Sequence, residues 1–94
     1  MDDNTLGFLY RRVPINPTQM KIWLGIPEFE VEMRVLLKTN HTITNEDVLE
    51  SMERICDFYE AEKKAKNPLP PYVMLSGMRQ SRNKLRRALE QESI

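Results

Sequence analysis

Between residues 48 and 59 the apolar side chains Val48, Leu49, Met52, Ile55, Cys56 and Tyr59 recur at intervals of three and four, with charged residues between them. An apolar stripe at that period predicts an amphipathic helix, over about residues 45–66. Its start is well marked. Thr44 offers an N-cap oxygen, Asp47 occupies the capping-box position three residues on, and Ile43 with Val48 stands at the hydrophobic-staple positions. Early acids and late lysines complement the helix dipole. Pro68 ends the helix, because proline carries no amide hydrogen and disfavours helical geometry at Asn67 before it.

A second stripe, Met78, Leu85, Ala88 and Leu89, predicts a helix that begins at Tyr72 or Ser76 and runs to Gln91. Gly77 weakens its first turn by roughly 1 kcal/mol relative to alanine. Residues 67–71 form a proline-rich turn, and so short a connection makes the two helices neighbours, most simply an antiparallel pair. The P-x-x-P spacing of Pro68 and Pro71 lacks the appropriately spaced flanking basic residue that orients a polyproline ligand. A stiff interhelical turn explains the prolines better.

The first forty residues carry a different pattern. Residues 29–35 alternate apolar and charged without a break, the period of a strand with one buried face. Phe29, Met33, Leu36 and Leu37 also suit a helix following Pro27. Asn16-Pro17 ahead of residues 18–24 and Gly25 suits a short helix with an Asn cap and a glycine stop; alternatively residues 21–26 pair with the 29–35 strand as a hairpin. Residues 6–12 offer a further strand. The expected fold is α+β, a small single domain over 1–94 in which an N-terminal β-rich section packs on the C-terminal antiparallel helical pair. An all-α bundle is the alternative if residues 29–37 are helical. Residues 1–5 are expected to be disordered.

With 94 residues, 40% of them hydrophobic and 30% charged, the chain supports one core and is too apolar for wholesale disorder. No secretory signal heads it, and no apolar run reaches the roughly 18 residues that span a bilayer, so a cytoplasmic location and no membrane partner are expected. Cys56 is the only cysteine and His41 the only histidine. Neither a disulfide within the chain, a cysteine-based zinc site nor a catalytic triad can be assembled from them. Glu28, Glu30 and Glu32 read as the solvated face of an amphipathic strand rather than as metal ligands. Gly7, Gly25 and Gly77 are isolated and form no phosphate-cradling loop. The sequence is therefore expected to encode no enzyme and to need neither cofactor nor metal.

Charge changes the picture, because the formal net charge of zero conceals two blocks. Glu46, Asp47, Glu50, Glu53, Asp57, Glu60 and Glu62 are opposed only by Arg54; from Lys63 onward bases dominate. Arg79, Arg82 and Arg86 fall within about 60° on one side of the second helix, where guanidinium groups can engage carboxylates or phosphates. Glu53 and Glu60 stand at two-turn spacing on the preceding helix and can meet them across the pair. Phe58 lies about 110° from the centre of its helix's apolar face and needs another cover, either the N-terminal section or a second copy of the chain. These features predict a non-enzymatic accessory or regulatory protein that binds another protein through its helical pair, with Arg79, Arg82 and Arg86 as polar anchors and Phe58 as an apolar one. A homo-oligomer, most simply a dimer, is expected. Nucleic-acid phosphate on the same arginines, or an anionic small ligand held by an oligomer, are the alternative partners.

Overall fold

A computed structural model describes residues 3–92. Its regular elements are five helices: α1 (Asp3–Arg12), α2 (Pro17–Leu24), α3 (Pro27–Asn40), α4 (Asn45–Lys64) and α5 (Leu75–Glu92). No strand occurs among the described residues. The chain is a helical bundle, and the N-terminal β-rich section of the expected α+β fold is not seen.

Burial explains why alternation misleads at residues 29–35. A strand would hide Phe29, Val31, Met33 and Val35 on one face. Instead Phe29 and Met33, four apart, are fully buried, whereas Val31 and Val35 are 51% and 55% exposed. Pro27 pre-sets the first helical residue, Glu28 and Glu30 complement the N-terminal dipole, and Glu30 pairs with Arg34 one turn on at 3.5 Å. The helix stops at His41, which adopts the left-handed conformation (φ 59°) and is exposed.

The hairpin reading of residues 21–26 fails for a similar reason. Asn16 accepts the Gln19 amide at 2.8 Å, Gln19 accepts the Asn16 amide in return at 3.4 Å, and Pro17 opens α2. That reciprocal cap directs the chain into a helix, which Gly25 ends. The expected strand at residues 6–12 lies in α1, where Leu9 is buried and Arg11 Nε donates to the Gly7 carbonyl. Of residues 1–5, the first two lie outside the described residues and Asp3 to Thr5 open α1.

At α4 the Thr44–Asp47 capping box forms in both directions, each bond 3.1 Å. The other end is a Schellman turn: Lys66 N–H bonds to the Lys63 carbonyl and Asn67 N–H to the Glu62 carbonyl, with Lys66 left-handed at φ 62°. Beyond the prolines, half-buried Leu69, Tyr72 and Val73 pack against the core and hold the connection down.

Helix α4 lies between α3 and α5, antiparallel to both, since Glu53 and Glu60 meet Arg86 and Arg79, and Arg54 and Tyr59 meet Glu32 and Glu28. Helix α2 packs on α5 and α3, and α1 on α2 and α3. Gly77 makes the α2–α5 approach close: a Cβ there would stand 2.8 Å from Ile22 Cδ1. At the centre Trp23 and Phe29 stack at 5.2 Å between ring centres, tilted by 50°. The indole N–H donates to buried Ser81 Oγ at 2.7 Å, and Ser81 in turn donates to the Gly77 carbonyl at 2.8 Å.

Candidate functional site

The four residues singled out by sequence separate into two surfaces. Arg79, Arg82 and Arg86 face α4, where Arg79 Nε lies 2.8 Å and Arg82 Nη1 3.8 Å from the same Glu60 oxygen, and Arg86 Nη2 donates to Glu53 at 2.8 Å. Phe58 sits about 140–160° further round α4 from Glu53 and Glu60, on the side that faces α3. The arginines and the phenylalanine therefore lie on different sides of α4.

Neither side is neutralised by this pairing. The ion pairs are half exposed, and pairs of that kind contribute about 0–1 kcal/mol. Arg79 Nε is buried, yet its contact with Glu60 lacks hydrogen-bond alignment, so its N–H has no proper acceptor among the described residues. Arg82 is held more firmly, with its side chain 14% exposed and Nε donating to Asn83 Oδ1 at 3.3 Å. An open groove of about 660 Å³ lies beside them, lined by Glu60, Lys63, Lys64, Arg79 and Arg82. Arg86 is not part of it.

Across the molecule, α3 and α4 form an apolar trench. Two depressions of about 330 and 260 Å³ share Glu32 and Arg54 at their junction. Val31, Val35 and Leu36 line one, Ile55 and Phe58 the other, and Phe58 is 56% exposed, with an edge contact to the Tyr59 ring at 5.0 Å. The described N-terminal residues thus leave Phe58 more than half exposed. The rim carries Glu28, Glu32, Asp47 and Glu50 against the single cation Arg54.

Three of those acids are positioned by the fold. Glu28 Oε1 accepts the buried Tyr59 hydroxyl at 2.8 Å, Asp47 closes the α4 capping box, and Glu32 Oε1 takes the Arg54 guanidinium. The other Glu32 oxygen is buried and has no donor among the described residues. A buried carboxylate oxygen without a donor carries an uncompensated desolvation cost. The three glutamates read from sequence as one solvated face are split by the helix: Glu28 and Glu32 share the trench, and Glu30 turns to Arg34.

The trench residues Val31, Val35 and Glu32 escaped sequence reasoning because a strand would have buried the valines. The helical spacing of Phe29, Met33, Leu36 and Leu37 after Pro27 was the signal that turns Val31 and Val35 outward. Lys63 and Lys64 escaped because only the hairpin of α4 and α5 brings them to Arg79.

Cys56 is fully buried on α4 and offers no reactive thiol at neutral pH. Burial pushes it from 9.0 up to about 11; Arg82 pulls against that rise, and Glu60 and Asp57 add to it. Among the described residues no group of three or more His, Cys, Asp or Glu is placed to hold a metal ion, and no helix is long and apolar enough to cross a membrane. No protein-family model, curated protein or solved structure matches the chain.

Proposed function

We propose that this chain is a non-enzymatic binding protein whose α3–α4 trench receives an amphipathic, basic helical segment of another protein. The observation that carries the reading is Glu32. Glu32 lines both apolar depressions, and Val31, Val35 and Phe58 along them are each more than half exposed. A helix seated there would bury its apolar residues at i, i+3 or i+4, and i+7, the spacing of grooves that read helices. Its lysines or arginines would meet the acidic rim, which steers approach and fixes register.

A symmetric dimer through the same trench would set acid rim against acid rim and Phe58 against Phe58. Like charges facing across a contact oppose it, so a separate basic partner fits better than a second copy. Arg79, Arg82 and Arg86, expected to anchor the same partner as Phe58, face away from the trench and take no part in this reading.

Selection of a displayed library of helical peptides tests it. Enriched peptides should carry the i, i+3/i+4, i+7 apolar pattern with interspersed Lys or Arg, and Val31→Asp/Val35→Asp should weaken them by about tenfold or more. Enrichment of acidic peptides, or binding that the double variant leaves intact, would refute the trench as the docking surface. A dimer in sedimentation equilibrium that Phe58→Asp abolishes would replace the basic partner with a second copy.

A further inference from the structure

The groove at the end of α4 is built from different residues and makes a separate demand. We propose that it binds a small, multiply charged phosphate-type anion, such as a diphosphate or a phosphate ester. Lys63 and Lys64 from the last turn of α4 and Arg79 and Arg82 from the first two turns of α5 surround it, with Glu60 as the only carboxylate in the lining. Four cations against one anion leave an excess of three positive charges in a chain whose formal net charge is zero.

Glu60 cannot satisfy its neighbours. One of its oxygens serves both guanidinium groups, at 2.8 and 3.8 Å, and Arg79 Nε remains without an aligned acceptor. No carboxylate among the described residues lies within ion-pair distance of Lys63 or Lys64. Arg82 is already oriented by Asn83 and by its own burial, so little side-chain freedom is lost when its fork takes an oxyanion. The volume, about 660 Å³, lies in the range of small-ligand sites.

The surroundings favour a small anion over a nucleic-acid strand. Glu53 and Asp57 stand within about 60° of Glu60 around α4, on the two turns leading into the groove. A strand running along the helix would carry its next phosphates over those acids, whereas a diphosphate is short enough to remain among the four cations. Arg86, bonded to Glu53 outside the groove, would contribute nothing.

Calorimetric titration of the intact chain with inorganic pyrophosphate at low salt tests the site. One binding event is expected, weakened about tenfold by Arg79→Ala and left unchanged by Arg86→Ala. Glu60→Gln should tighten it, because the competing carboxylate is gone and the arginines remain; a residue that only supported the fold could not give that sign. Circular dichroism checks that each variant is folded. Absence of binding at millimolar pyrophosphate, or weaker binding in Glu60→Gln, would overturn the proposal. So would a single-stranded oligonucleotide that binds more tightly than pyrophosphate and is lost with the same variants.

Discussion

The indole N–H of Trp23 has Ser81 Oγ as its acceptor, in a core where no solvent reaches either atom. Ser81→Ala removes a single oxygen, yet it strands a buried donor, which costs about 1–3 kcal/mol. Urea denaturation should show a loss of that size, and an unchanged midpoint would mean that the indole finds another acceptor. Tyr59 and Cys56 make a second residue-scale case. Both ionise with difficulty in the folded chain, Tyr59 through burial and then its bond to Glu28, Cys56 through burial. A raised folded value means that the native state holds more protons than the unfolded state above the ordinary value. The stability they lend is therefore complete below about pH 9 and is lost as pH rises. From pH 9 to 11 Cys56 alone should account for a fall of about 2 kcal/mol. Unfolding midpoints should drop over that window and drop less in Cys56→Ala; a flat profile would show that neither group is kept neutral by the fold.

At the scale of elements, legibility followed the caps. The start of α4 could be read to the residue because Thr44, Asp47, Ile43 and Val48 all point to one boundary, and its one-sided stripe admits a single period. The α3 segment admitted two periods, and the choice between them depended on a partner surface: Phe29, against Trp23 of α2, and Met33 are fully buried in the bundle, while Val31 and Val35 are left more than half exposed. The pairing of Arg79, Arg82 and Arg86 with Glu60 and Glu53 was foreseeable once the two helices were antiparallel neighbours. The groove and the trench were not, since each arises only when residues from two helices come together. The end of α4 gives a direct test of backbone strain. Lys66 holds a left-handed conformation that glycine adopts without penalty, so Lys66→Gly should stabilise the chain by about 1 kcal/mol in thermal or urea unfolding. A loss of stability there would mean that the lysine side chain makes a contribution larger than the strain.

Over the whole molecule, zero net charge conceals two oppositely charged surfaces on different sides of α4. One is an acidic-rimmed apolar trench against α3, the other a basic groove against α5. That division puts Phe58 and the arginines, both visible in the sequence, on different sides of α4. Chemical-shift mapping of the isotope-labelled chain shows whether the trench takes a basic helix. The probe is a helical peptide of about 16 residues with leucines at i, i+3, i+4 and i+7 and lysines between them, beside a control with glutamates for lysines. Saturable shifts are expected at Val31, Glu32, Val35, Glu50, Arg54 and Phe58 with the lysine peptide and none with its acidic counterpart. Shifts confined to Lys63, Lys64 and Arg79, or equal responses to both peptides, would contradict that expectation.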